Sequence, residues 1–137
     1  MNVVLDTNVI VSAFLSPMGK PATILQLVLR GDLSICFDTA ILAEYEQVLG
    51  RDKFAGKLHQ ASIRRFFELL YDFGMQAICI PSQISMPDEA DRKFYDVAKK
   101  AEAVLITGNK KHYPNESFIY NPVEFLIKIN LAEEKEW

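Results

Sequence analysis

The chain has 137 residues, half of them apolar, with 15 basic against 18 acidic side chains and a net charge of −3. That length suits one domain, spanning residues 1–137, with a sizeable core, and is too short for two; the slight acidity excludes nucleic-acid binding by bulk charge, so any phosphate-binding surface is a local patch. No apolar stretch reaches the roughly 18 residues of a membrane span and nothing at the start resembles a secretory leader, so a soluble, cytoplasmic protein is expected.

The first predicted strand, Asn2 to Leu5, runs into the polar triplet Asp6-Thr7-Asn8 before apolar residues resume at Val9. A helix from Thr7 to Leu15 follows, then a second from Pro21 to Arg30, with Pro21 suited to a first helical position and Gly31 to a stop. Leu33–Phe37 reads as a strand, Thr39–Leu49 as a helix and Leu58–Phe73 as another, whose stripe is Ile63, Phe66, Phe67, Leu70 and Tyr71. Of the aromatics in that helix, Phe66, Phe67, Tyr71 and Phe73, core packing is the expected role. Strand patterns recur at Met75–Ile80, Ala103–Thr107 and, more weakly, Ser117–Tyr120, with helices at Glu89–Ala101 and Val123–Ile129. The two cysteines, Cys36 and Cys79, fall inside apolar strand-like runs without a second ligand at metal spacing, and read as buried thiols rather than a disulfide. Strands alternating with helices predict a three-layer α/β/α sandwich on a parallel sheet of about five strands. In such sheets ligands bind outside the carboxyl ends of the strands, where Asp6 ends the first.

Asp6 serves either as an N-cap for the helix that begins at Thr7 or as a ligand, and the two roles are compatible. In the helix TAILAEYEQVLG, the apolar face of Ile41, Leu42, Tyr45, Val48 and Leu49 leaves Glu44 and Glu46 on opposite margins, without preference. In PDEADRKFYDVAKKA, Ala90, Phe94, Val97, Ala98 and Ala101 mark the inner face. Asp91 leans toward that side, while Asp96 and Glu89 point away. Asp91 is a capping residue or a site residue in equal measure, and Asp88 reads as the N-cap. The fourth strand ends in Thr107-Gly108-Asn109-Lys110-Lys111-His112, the densest basic spot in the chain, either a solvated turn or a phosphate contact. Asp6, Asp91 and Asn109 all fall at or just past the carboxyl ends of elements, and Glu44 can reach the same edge. Converging carboxylates invite a divalent cation, and oxygen ligands favour Mg²⁺ or Mn²⁺ over Zn²⁺.

In these features the sequence resembles the PIN domain, the metal-dependent ribonuclease fold known from the toxin subunits of VapBC-type toxin-antitoxin pairs. The resemblance rests on LDTN with Ser12 following, on Glu44 in ILAEYEQVLGR, on Asp91 in DEADRKFYDVAKKA and on the strand-turn VLITGN, and runs from Asn2 to about Phe125. It implies that Asp6, Glu44 and Asp91 are catalytic, metal-binding carboxylates, supported by Thr7, Asn8, Ser12, Asp88 and Thr107. Asn109 departs from the pattern, since many family members carry a fourth Asp there; an amide offers a carbonyl oxygen but no charge. Lys110, Lys111 and His112, with Lys20 or Lys99-Lys100, are the candidate contacts to an RNA backbone.

The function so implied is that of an endoribonuclease using Mg²⁺ or Mn²⁺ to direct water at a phosphodiester, probing RNA as substrate, with a separate antitoxin protein and a homodimer as partners. A phosphatase forming an aspartyl-phosphate needs a second Asp where Asn8 stands, and a receiver-type signalling domain needs an Asp where the third strand ends in Ile80-Pro81. The alternative from another class is a catalytically silent PIN-like module that binds RNA or protein.

Overall fold

A computed structural model of the chain describes residues 1–51, 54, 56 and 58–135, with side chains through residue 130. Five strands, β1 (Asn2–Leu5), β2 (Ser34–Phe37), β3 (Met75–Gln76), β4 (Val104–Ile106) and β5 (Ile119–Tyr120), form one parallel sheet in the order β3-β2-β1-β4-β5. Six helices accompany it: α1 (Thr7–Leu15), α2 (Lys20–Leu29), α3 (Thr39–Leu49), α4 (Gln60–Phe73), α5 (Arg92–Ala101) and α6 (Pro122–Lys135). The expected α/β architecture on a parallel five-stranded sheet is the one observed. Among the described residues no helix is long and apolar enough to cross a membrane.

The central strand shows why the sheet is parallel. Val3, Val4 and Leu5 are all buried, as a strand covered on both faces requires, and they pair with Val104, Leu105 and Ile106 on one side while Asn2 and Val3 pair with Ser34 and Ile35 on the other. From β1 the chain steps outward to β2 and β3, then returns to the opposite side of β1 for β4 and β5. The strand order therefore reverses between β1 and β4, and a crevice opens there at the carboxyl ends. The crossover back is α5, which packs on β1, β2 and β4 with Phe94 and Val97 fully buried. A buried Phe is worth about 2–3 kcal/mol, so Phe94 anchors the start of α5 firmly against the sheet.

Helix ends are defined by side chains at several points. Asp38 accepts the Ile41 N–H at 2.8 Å to start α3. Asn121 and Glu124 cap α6 reciprocally, each side chain accepting the other's backbone N–H at 2.8 Å. Between α4 and β3, a Cβ on Gly74 would lie 2.5 Å from both the Leu70 carbonyl and the Phe37 ring, so only glycine fits this corner.

Five expectations are corrected. The strand expected over Met75–Ile80 stops at Gln76, because the following segment is drawn onto α5: the Ser82 N–H donates to Asp96 Oδ2 at 3.0 Å and the Arg92 guanidinium donates to the Ser82 carbonyl at 2.8 Å. Asp96 consequently does not point away but is buried, while Cys79 lies half-buried outside any strand. Both cysteines are free thiols. The helix expected from Glu89 opens with a 3-10 turn over Glu89–Asp91, so α5 itself begins at Arg92. In α4, Phe66 is fully buried and Phe67 partly so, but Tyr71 and Phe73 face outward. Residues 52, 53, 55 and 57, between Leu49 and the expected start of α4, lie outside the described residues.

Candidate metal centre

Asp6 ends β1 and sits in the crevice where the strand order reverses. It occupies the N-cap position of α1, yet its carboxylate makes no capping hydrogen bond. Instead Oδ2 accepts from the Thr107 hydroxyl at 2.8 Å and from the Tyr113 hydroxyl at 2.8 Å. Burial raises the Asp6 pKa above its ordinary value, against the pull of these two donors, and the nearby Glu44 raises it further. The Tyr113 phenol is pushed far up by burial and by Asp6 and Asp91, so it remains a donor at any physiological pH.

Glu44 reaches the crevice from α3. One of its oxygens accepts from the Thr7 hydroxyl, and the other lies 2.9 Å from Lys93 Nζ of α5. Tyr45, the next residue, is fully buried and donates to the Leu5 carbonyl, tying α3 to the last residue of β1. The 3-10 turn before α5 supplies the other carboxylates. Asp88 caps that turn by accepting the Ala90 N–H through Oδ1 at 3.0 Å. Asp91 leans inward with its side chain 14% exposed, and its pKa is pushed to about 6 by burial first, then by Asp6 and Asp88.

The turn after β4 closes the site. Thr107 is fully buried; besides donating to Asp6 it accepts the Asn109 N–H at 3.0 Å. Asn8 accepts the Gly108 N–H at 3.0 Å, stitching α1 to the same turn. His112 Nδ1 lies 3.2 Å from Asp91 Oδ2 and 3.7 Å from Asp88 Oδ2, and its Nε2 lies 2.9 Å from the Asn109 amide. An imidazole thus stands at the rim of a cleft expected from the sequence to hold oxygen donors.

The structure brings Asp6, Thr7, Glu44, Asp88, Asp91, Thr107, Asn109 and His112 around one crevice. Ser12 is not joined to it: the residue is exposed on α1 and its side chain bonds to none of the acids. Lys110 turns to Glu124 at 3.1 Å, and Lys111 is exposed beside it. Lys99 and Lys100 occupy the last turn of α5, at the far end of that helix from Asp91. Two residues missed in the sequence belong to the crevice, Tyr113 and Lys93. Tyr113 directly follows the basic turn, and Lys93 lies between Asp91 and the inward-facing Phe94.

Against known proteins, residues 2–111 match the family model described as PIN domain. The chain belongs to the PIN domain family. It is similar to the uncharacterized protein MJ1680 of Methanocaldococcus jannaschii, 31% identical over 115 residues that cover 80% of this chain and 72% of that protein. Its fold resembles a crystal structure of VapBC2 from Rickettsia felis bound to a DNA fragment from their promoter, at 18% identity and a TM-score of 0.54, covering 88% of this chain and 98% of that one.

The donor set of this PIN domain fits a divalent cation. Asp6 is a buried carboxylate whose two side-chain donors are uncharged hydroxyls, and among the described residues no Lys, Arg or His pairs with it. Its charge and that of Asp91 repel across the crevice, raising Asp91. Two carboxylates held this way gain most from a cation between them.

Proposed function

We propose that this PIN domain is a metal-dependent endoribonuclease and the toxin component of a toxin-antitoxin pair. The observation that carries the reading is the buried Asp6 carboxylate, oriented by the Thr107 and Tyr113 hydroxyls and, among the described residues, paired with no cationic side chain.

Asp6 and Asp91 would hold Mg²⁺ or Mn²⁺, with Glu44 as a further ligand and Asn109 at the margin. Such an ion supplies Lewis-acid polarisation of a phosphodiester and makes water acidic enough to attack it. The side chains of the protein do the rest. Thr107 and Tyr113 occupy Oδ2 of Asp6 and so fix which way that carboxylate faces. Thr7 and Lys93 hold both oxygens of Glu44, keeping the carboxylate at the crevice wall. The Asn8 contact to Gly108 fixes the turn that carries Lys110 and Lys111, which would contact the RNA backbone.

The decisive experiment is cleavage of a mixed set of labelled single-stranded RNAs with Mg²⁺, with Mn²⁺ and with EDTA, for the unmodified chain beside Asp6→Asn and Asn109→Asp. Cleavage by the unmodified chain is expected only with metal, and Asp6→Asn lowers it at least about a hundredfold, as loss of a metal-holding group does elsewhere in catalysis. Asn109 favours a second reading, a PIN-fold module that binds RNA or protein without cutting it. Under that reading only Asn109→Asp cleaves.

A separate antitoxin protein and a homodimer complete the proposal. The similarity to VapBC2 supports the first, as does the fold, and light scattering of the purified chain alone and with a candidate antitoxin tests both. A monomer that binds no inhibitor removes the toxin assignment while leaving the nuclease chemistry intact.

A further inference from the structure

The reading of the crevice as a metal centre leaves one of its residues unused. His112 Nδ1, Asp88 Oδ2 and Asp91 Oδ2 lie within 4.8 Å of one another, on two segments that meet only in the folded chain. Asp88 spends Oδ1 on its cap to Ala90, so Oδ2 is the oxygen turned to the histidine. The other ring nitrogen, Nε2, faces the Asn109 side-chain amide at 2.9 Å, and Asn109 also accepts the His112 backbone N–H at 3.1 Å. An amide turned by half a rotation exchanges its nitrogen for its oxygen without moving the surrounding atoms. With its oxygen toward the ring, Asn109 accepts Nε2–H and leaves the Nδ1 lone pair pointing at the two carboxylates. A histidine whose second nitrogen donates to a fixed carbonyl is the usual arrangement of a metal-ligating imidazole.

We propose that His112, oriented by Asn109, is a nitrogen ligand of the metal centre together with Asp91 and Asp88, and that it biases the centre toward first-row transition ions over Mg²⁺. The amide at 109 then serves to aim an imidazole at the ion from the position where the family pattern has a carboxylate. Imidazole suits transition ions, whereas Mg²⁺ takes oxygen donors almost exclusively, so the substitution changes which ion the crevice selects. This rests on the metal-centre reading above, and it concerns only the ligand and the selectivity.

The test uses Mn²⁺ as probe and the full chain. Pulsed electron paramagnetic resonance of the Mn²⁺-loaded protein is expected to show coupling to a histidine nitrogen that disappears in His112→Gln. The chain has two histidines, and His59→Gln, at the start of α4, keeps the signal. Calorimetry is expected to show Mn²⁺ binding weakened about tenfold in both His112→Gln and Asn109→Ala, with Mg²⁺ binding changed less than about twofold. His112 is exposed, so its replacement leaves the core untouched. Mn²⁺ bound at a site sensitive to Asp6→Asn, but without nitrogen coupling and with an unchanged Kd in His112→Gln, overturns the proposal and spares the centre. Mn²⁺ binding that ignores Asp6→Asn, or none at all, overturns the centre itself and the proposal with it.

Discussion

A carboxylate such as Asp91 is held in the folded chain at a cost that can be measured. Its pKa rises from 3.8 to about 6, through burial and the charges of Asp6 and Asp88. Between those values the folded chain binds a proton that the unfolded chain does not, so the stability of the metal-free protein falls as pH rises from about 4 to about 6. Asp91→Asn removes that penalty. Urea unfolding of the metal-free variant is expected to show about 1–2 kcal/mol more stability than the parent at pH 7 and no gain near pH 4, a figure that allows for screening at a partly open site. Tyr113→Phe works in the other sense at Asp6, taking away one of two donors and costing about 1–3 kcal/mol by the same measurement. At this scale each acid alone also reads as a cap or a flank charge, and only the order of the motifs, matched to the PIN pattern, singled out Asp6, Glu44 and Asp91 together. Tyr113 and Lys93 were not, since a tyrosine after a basic turn and a lysine in an amphipathic helix look like any others. Their roles depend on partners more than a hundred residues away in one case and in another helix in the other.

Among the elements, α5 carries the clearest local strain. Its C-cap, Glu102, has φ 51 and ψ 45, a left-handed conformation that costs an L-residue energy and that glycine adopts freely. Glu102→Gly is expected to raise stability by about 0.5–1 kcal/mol, read as a higher melting temperature, without altering metal binding at the other end of the helix. Helix positions were legible from apolar spacing and from Pro21 and Gly31, whose effects are local. The length of β3 was not. Met75 to Ile80 alternates as a strand does, but strand pairing also needs a neighbour, and Asp96 and Arg92 claim the segment first. The buried Asp96 escaped for the same reason: helical periodicity places a side chain on a margin and says nothing of the loop that will cover it.

Over the whole molecule, the net charge of −3 and the pairing of Lys110 with Glu124 and Lys93 with Glu44 leave few free cations near the crevice. Under the proposed function, RNA affinity is therefore expected to depend weakly on salt, with a log–log slope no steeper than about −2, equivalent to two or three phosphate contacts on a single strand. Filter binding across a salt series checks it. The fold class was readable because strand and helix patterns alternate, which admits one economical arrangement. The exact crevice was not, because it depends on where the strand order turns back, and that is decided by which strands pair.

The span between Asp6 and its hydroxyl partners has a consequence for synthesis. Asp6 emerges well before its partners, since Thr107 and Tyr113 follow 101 and 107 positions later. Until β4 has left the ribosome, β1 has β2 beside it but nothing on its other side, Asp6 lacks the hydroxyls that hold its orientation and Asp91 has no turn to face. Parallel pairing at such separation is also slow. A half-made chain therefore carries no assembled centre. Under the nuclease reading, the messenger being translated is safe from its own product until β4 and the turn after it have emerged.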